Sequence, residues 1–253
     1  MHRATSADGT IIAYTRAGDG PPLVLVGGAL DDGAENAALV PELAHAFTVF
    51  NYARRGRGAS GDTPPYAVER EIEDLAAVLE AAGGSAAVYG VSSGGALALR
   101  AAAAGLPIPR LGLYDVPYIL DDAHRWDEYV REVGAAVDDG RREDALALFM
   151  RVAGVPVDAI AAARGTEAFA RSAALAHTLP YDAACIGEGP PPPFLADLTT
   201  PTLVASSGDP FFEAAADATA ALLPDAERFR FQDQGHVADP MTVAPTLKRF
   251  FGN

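Results

Sequence analysis

The chain has 253 residues, of which 49% are hydrophobic and 21% are charged, so it is a globular protein and not a disordered, collagen-like or coiled-coil chain. Its 19 Lys and Arg against 34 Asp and Glu give a net charge of −15, which makes nucleic acid and anionic membranes poor partners. The single cysteine, Cys185, excludes an internal disulfide. Because we find neither a signal-peptide pattern nor a membrane-spanning apolar run, we expect a cytoplasmic protein.

In the first 116 residues, short apolar runs alternate with helical patterns. The predicted strands lie at 11–14, 23–26, 47–50, 86–89 and 111–114, and the predicted helices at 68–79 and 94–104. Runs that are apolar throughout, such as 23–26, are typical of strands buried on both faces. This alternation predicts an α/β fold with a mostly parallel central sheet and helices on both of its faces.

The alternation stops at about residue 117. From there to residue 197 we find only helical patterns, at about 126–137, 145–150 and 166–177, and then a run of four prolines at 190–193. Strands at 202–205 and 228–231 and helices at 211–223 and 243–251 resume the first pattern. We therefore predict one core, formed by residues 1–116 and 198–253, with a helical insertion at 117–197.

The segment 90–94 fits the pattern G-x-S-x-G and lies between a predicted strand and a predicted helix. In such a tight turn the serine, Ser92, is held in a strained conformation with its hydroxyl exposed, and the flanking glycines are needed because side chains would clash. The same pattern also occurs in ordinary glycine turns, but its position after a strand favours a nucleophile.

A nucleophilic serine needs a base, and His236 follows the last predicted strand, so it lies at the same edge of the sheet as Ser92. The carboxylate that would orient this histidine has two candidates. Asp209 follows the strand at 202–205, and Asp115 follows the strand at 111–114. We favour Asp209 and keep Asp115 as the alternative, although an aspartate before proline is also a common turn residue.

Hydrolysis through a serine also needs two N–H groups for the oxyanion. The N–H of Ser93, next to the nucleophile, is one candidate, and the glycine-rich loop after the strand at 23–26 should supply the other. In that loop we select Ala29, with Gly28 as its neighbour.

Taken together, these segments resemble the α/β-hydrolase family, and in particular its small esterases, lactonases and perhydrolases. The resemblance rests on 21–28, on 51–60, on the turn 90–95, on 201–210 and on Gly235-His236, with the order Ser, Asp, His that the family has. Two positions depart from it, since Gly27 stands where the family often has histidine, and so does Val91. The resemblance implies an α/β-hydrolase fold in which the insertion 117–197 forms a helical cap over Ser92.

The function that follows is that of a serine hydrolase, which cleaves a small, fairly apolar ester or lactone through an acyl-enzyme and needs no metal or other cofactor. Alternatives on the same triad are a carbon–carbon bond hydrolase and a perhydrolase, and a further one is a small-molecule binder without turnover. Within the cap, Tyr118 and Trp126 are candidates to contact the substrate, as is Phe211 beyond it. The partner is a small-molecule substrate, and the oligomeric state stays open.

The run Arg54-Arg55-Gly56-Arg57 could suggest a phosphate or nucleic-acid site. On a chain of net charge −15 we instead expect these arginines to pair with nearby carboxylates, as the resemblance implies. Cys185 has no basic neighbour in sequence, so we expect a buried thiol and not a nucleophile.

Overall fold

A computed structural model describes residues 1–252, within which eight strands form one sheet in the order β1-β2-β4-β3-β5-β6-β7-β8. The strands are β1 (His2–Thr5), β2 (Ile11–Ala17), β3 (Pro22–Val26), β4 (Thr48–Tyr52), β5 (Ala87–Val91), β6 (Leu111–Tyr114), β7 (Thr202–Ser206) and β8 (Ala226–Arg230). β2 pairs antiparallel with both β1 and β4. The six strands β3 to β8 are mutually parallel. The predicted mostly parallel sheet is therefore confirmed.

The same part of the chain contains eleven α-helices and two short 3₁₀ turns. The helices are α1 (Ala34–Ala37), α2 (Val40–Leu43), α3 (Val68–Ala81), α4 (Ser93–Ala103), α5 (Ala123–Asp138), α6 (Arg142–Val152), α7 (Val157–Ala163), α8 (Glu167–Leu175), α9 (Leu179–Ile186), α10 (Pro210–Leu222) and α11 (Pro240–Phe251). The 3₁₀ turns are Ala176–Thr178 and Pro193–Asp197. No helix among residues 1–252 is both long and apolar enough to cross a bilayer.

Two hydrophobic cores lie on the two faces of the sheet. On one face α3, α4 and α10 cover the central strands, and this core continues into the insertion through Trp126 and Leu179. On the other face α2 and α11 cover the sheet with side chains such as Leu43 and Leu247. The central strands are buried on both faces, as their continuous apolar runs predict.

The five helices α5–α9 lie between β6 and β7, where the sequence predicts the insertion. Within them α9 packs against α4, the helix that follows Ser92. This contact places the insertion above the turn that carries Ser92. The division of the chain into a core and a separate cap domain stays a prediction.

Five elements lie outside the predicted ranges, namely β1, α1, α2, α7 and α9. α1 and α2 have only four residues each. β1 has the sequence His-Arg-Ala-Thr, which has no apolar alternation from which a strand could be predicted. This edge strand is held by main-chain pairing with β2. α7 and α9 are only 7 and 8 residues long, so each offers little periodicity to read.

Gly20 lies just before β3, where the chain packs closely on the segment that follows α2. The hydroxyl of Thr48 donates to its carbonyl oxygen at 2.6 Å, and a Cβ atom at Gly20 would overlap the carbonyl oxygen of Ala46. A side chain at this position would therefore push apart two backbone segments and not merely a flexible side chain.

We expect Gly20→Ala to lower the free energy of unfolding by about 1–3 kcal/mol, the cost typical of overpacking. The control is Gly134→Ala, since Gly134 lies inside α5 with no heavy atom within 4 Å of an added Cβ. There alanine should raise stability by up to about 1 kcal/mol. Urea unfolding of the two variants would contradict the expectation if Gly20→Ala proved as stable as the wild-type protein.

Candidate active site

Ser92 lies in the sharp turn between β5 and α4. Its backbone has φ 55° and ψ −130°, a conformation that side-chain-bearing residues adopt only under strain. A Cβ atom at Gly90 would lie 2.7 Å from the Gly94 carbonyl oxygen, and one at Gly94 would overlap the carbonyl oxygen of Gly27. Both flanking positions therefore require glycine, which confirms the steric interpretation of the G-x-S-x-G pattern.

His236 lies in the loop between β8 and α11, and it lines the same cavity as Ser92. The Phe212 ring stacks on its imidazole with ring centroids 4.7 Å apart and an angle of 9° between the planes. Among residues 1–252, no hydrogen bond joins the Ser92 hydroxyl to His236. Such bonds are often long in substrate-free sites and tighten when the substrate binds.

Asp115, at the carboxyl end of β6, is the carboxylate that pairs with His236. Its Oδ2 lies 3.2 Å from Nδ1 of His236, and its Oδ1 accepts a hydrogen bond from the Ser207 N–H at 2.7 Å. The side chain is fully buried, with 0% exposure. Both carboxylate oxygens thus have partners, and one of the partners is the predicted base.

The expectation that Asp209 orients His236 is corrected by this geometry. Asp209 is exposed and precedes α10, where its Oδ1 accepts a hydrogen bond from the Phe211 N–H at 2.8 Å. It is the N-cap of a helix that has proline at its first position, a combination favoured because both residues suit a helix N-terminus. Asp209 lines the cavity, but it makes no hydrogen bond to His236.

The loop after β3 lies against the turn that carries Ser92. A Cβ atom at Gly28 would lie 2.9 Å from Cβ of Ser92, so the loop backbone approaches the serine as closely as glycine permits. Ala29 and Ser93 both line the cavity, and within residues 1–252 their N–H groups donate to no backbone carbonyl. Two residues that line the cavity with Ser92 therefore have main-chain N–H groups without a main-chain partner in that range.

The cavity at Ser92 has a volume of about 480 Å³ and is mostly apolar. The insertion, the loop after β6 and α10 supply most of its apolar wall, through Pro117, Ile119, Trp126, Tyr129, Phe149, Val152, Ala183, Ile186, Phe211 and Phe212. Of the three side chains predicted to contact a substrate, Trp126 and Phe211 line this cavity. The third, Tyr118, is buried and lines a neighbouring cavity instead, which is a correction to that expectation.

A cluster of buried charges lies behind the cavity and joins the arginine-rich loop to the insertion. Arg54 donates through Nε and Nη2 to the two carboxylate oxygens of Glu71, at 2.7 Å each. Arg54 and Arg57 each donate to Oδ1 of Asp182, on α9, at 2.8 Å. The hydroxyl of Ser93 donates to the same oxygen at 2.7 Å. The arginines are thus paired with carboxylates, as expected, and one of these carboxylates lines the cavity.

These contacts keep Arg54 and Glu71 ionised in spite of their burial. Burial alone would raise the pKa of Glu71, but the adjacent Arg54 guanidinium outweighs it and holds that pKa below its ordinary value. Arg54 also lies 3.4 Å from Sγ of the neighbouring thiol, Cys185, and lowers its pKa, but burial and the nearby charge of Glu71 outweigh this and raise that pKa to about 12. Cys185 is therefore a protonated, buried thiol and a poor nucleophile, as the sequence predicts.

Phe212 and Asp182 are among the members of the site that the sequence did not point to. Asp182 carries no motif, and its partners Arg54 and Arg57 are more than 120 positions away along the chain. Among residues 1–252, no group of three or more His, Cys, Asp or Glu side chains is arranged to hold a metal ion.

Residues 23–246 match the profile of the alpha/beta hydrolase family. Since this match covers most of the chain, the protein belongs to that family. A comparison with curated proteins gives no match.

Solved structures agree with this assignment. An alpha/beta hydrolase from Sphaerobacter thermophilus is 46% identical, with a TM-score of 0.91 and coverage of 99% of this chain and 100% of that one. A hydrolase from Pseudomonas aeruginosa is 25% identical, with a TM-score of 0.77 and coverage of 100% and 98%. A thermophilic esterase from Thermogutta terrifontis, at 22% identity, a TM-score of 0.73 and coverage of 98% and 96%, shares the fold.

Proposed function

We propose that the protein is a serine hydrolase that cleaves small, uncharged and largely apolar esters or lactones through an acyl-enzyme intermediate. The observation that carries the proposal is the content of one cavity. It is lined by a serine in a strained turn, by a histidine paired with a buried carboxylate, and by two residues whose main-chain N–H groups have no main-chain partner among residues 1–252.

In this mechanism the Ser92 hydroxyl attacks the substrate carbonyl while Nε2 of His236 takes its proton. Nδ1–H of His236 donates to Asp115, whose carboxylate orients the ring and stabilises the imidazolium as it forms. The N–H groups of Ala29 and Ser93 bind the oxyanion of the tetrahedral intermediate. His236 then protonates the leaving alkoxide, and water activated by the same histidine hydrolyses the acyl-enzyme.

Ser92→Ala should lower kcat by about 10⁴–10⁶-fold, because the triad residues act as a unit. A fluorophosphonate should label the wild-type protein on the peptide that contains Ser92 and leave the variant unlabelled. Circular dichroism serves as the control for an intact fold. A folded wild-type protein that resists the probe and cleaves no ester would contradict the proposal and favour the small-molecule binder.

A second pair of variants tests the carboxylate. Asp115→Asn should lower kcat by about 10³–10⁴-fold, because the amide cannot stabilise the imidazolium. Asp209→Asn should change kcat by less than about tenfold, because asparagine caps a helix as well as aspartate does. The assignment of Asp115 fails if Asp209→Asn is the crippled enzyme.

The charges at the cavity support an uncharged substrate. Its lining includes the carboxylates of Asp182 and Asp209, and no Lys or Arg of residues 1–252 belongs to it. Arg54 and Arg57, which lie behind it, are already engaged by Asp182. A carboxylate on the acyl chain would therefore be desolvated without a cationic partner, which is costly.

We expect kcat/KM for p-nitrophenyl hexanoate to exceed that for the mono-p-nitrophenyl ester of adipic acid by about 10–100-fold, the effect of 1–3 kcal/mol. The two acyl chains have the same length to the terminal carbon, where one has a methyl group and the other a carboxylate. Equal or faster turnover of the adipate ester would contradict an uncharged substrate. The pair thus separates substrate charge from chain length.

A further inference from the structure

Arg57, which binds Asp182, also contacts the loop after β3, which contains the predicted oxyanion donor Ala29. Nη1 of Arg57 donates to the carbonyl oxygen of Gly28 at 2.6 Å, while its Nη2 donates to Asp182 at 2.8 Å. The arginine side chain is buried, with 0% exposure. Its guanidinium thus bridges the loop after β3 and the insertion helix α9.

The carbonyl of Gly28 and the N–H of Ala29 belong to one peptide unit. That unit is trans, since the single cis peptide bond within residues 1–252 joins Pro64 to Pro65. In a trans peptide the C=O and N–H bonds point in opposite directions. The guanidinium that holds the Gly28 oxygen therefore fixes the direction of the Ala29 N–H, and Ala29 lines the cavity.

The contact also polarises the peptide. A charge-assisted hydrogen bond to the carbonyl oxygen draws electron density from the amide, which makes its N–H a stronger donor. In a buried site this effect is not screened by water. The Ala29 N–H is thereby strengthened for an oxyanion, whose charge is far larger in the transition state than on the substrate carbonyl.

Ser93, which carries the other N–H donor, is held by the carboxylate that anchors Arg57. Its hydroxyl donates to Oδ1 of Asp182, the oxygen that also receives Arg57. A chain of hydrogen bonds, Ser93–Asp182–Arg57–Gly28, thus connects the residues that carry the two donors. Since Asp182 lies on α9, the insertion takes part in setting the separation of the donors.

We propose that Arg57, anchored by Asp182, is a positioning residue of the oxyanion site. It fixes and polarises the Gly28–Ala29 peptide and touches neither the substrate nor the reacting atoms. This inference rests on the proposed hydrolase function and adds to it the means by which the second donor is held.

The test compares Arg57→Lys with Arg55→Lys. Arg55 is equally buried and is paired with Asp74 at 2.7 Å and with Asp8 at 3.1 Å, but it makes no hydrogen bond to the loop after β3. Both variants replace a buried bidentate guanidinium with an ammonium, so both should lower the Tm. Only Arg57→Lys removes the fork that joins Gly28 to Asp182.

For p-nitrophenyl hexanoate we expect Arg57→Lys to lower kcat by about 10–100-fold with KM changed by less than about threefold, because an oxyanion donor acts chiefly in the transition state. The inhibition constant of an alkylboronic acid, which forms a tetrahedral adduct on the serine, should rise by a similar factor. Arg55→Lys should keep kcat and the boronate inhibition constant within about threefold of the wild-type values.

Equal kinetic losses in the two variants would overturn the inference, because the arginine would then act only through stability. If Arg57→Lys does not fold, Asp182→Asn tests the same chain of contacts, and unchanged kcat in this folded variant would also overturn the inference. A wild-type protein without esterase activity and without fluorophosphonate labelling would instead overturn the proposed function. The two failures are therefore distinguishable.

Discussion

The close approach of backbone to backbone between β3 and β5 is the constraint on which the site depends. Gly94, in the first turn of α4, lies so near the carbonyl of Gly27 that no side chain fits between them. Because β3 and β5 are neighbours in the sheet, their carboxyl ends bring the loop that contains Gly28 directly against Ser92. The strained serine and the loop that lies against it are thus consequences of the same packing.

The buried charge cluster fixes the position of the insertion helix α9 relative to the core. Ion pairs taken out of water add little net stability, because desolvation offsets most of the attraction. Their value is in geometry, since the forked guanidinium of Arg54 fits the carboxylate of Glu71 in one orientation. Asp182 extends this fixed arrangement to α9. The helical insertion is therefore bound to the core by directional contacts as well as by apolar packing.

Much of this arrangement is readable from local sequence. Apolar runs such as that in β3 predicted buried parallel strands, and the glycines around Ser92 predicted the turn, because both depend on neighbours in the chain. The cavity wall and the position of Asp182 could not be read in this way. They depend on how the short helix α9 packs on α4, and its contact with Arg54 spans 128 positions. No period or motif encodes a contact at that separation.

The choice between the two aspartates shows where a sequence pattern is ambiguous and structure is not. Asp209 and Asp115 both follow parallel strands. The Asp-Pro pair at 209–210 is also a helix start, and in that role Oδ1 of Asp209 accepts the Phe211 N–H. Asp115 is fully buried, so its charge acts on His236 in a medium of low effective dielectric constant, where it stabilises an imidazolium more than an exposed carboxylate could. The Ser207 N–H binds its other oxygen and so reduces the cost of burying the charge. One oxygen of Asp115 is thus fixed by the main chain and the other faces Nδ1 of His236, an arrangement that Asp209 does not offer, because it caps α10.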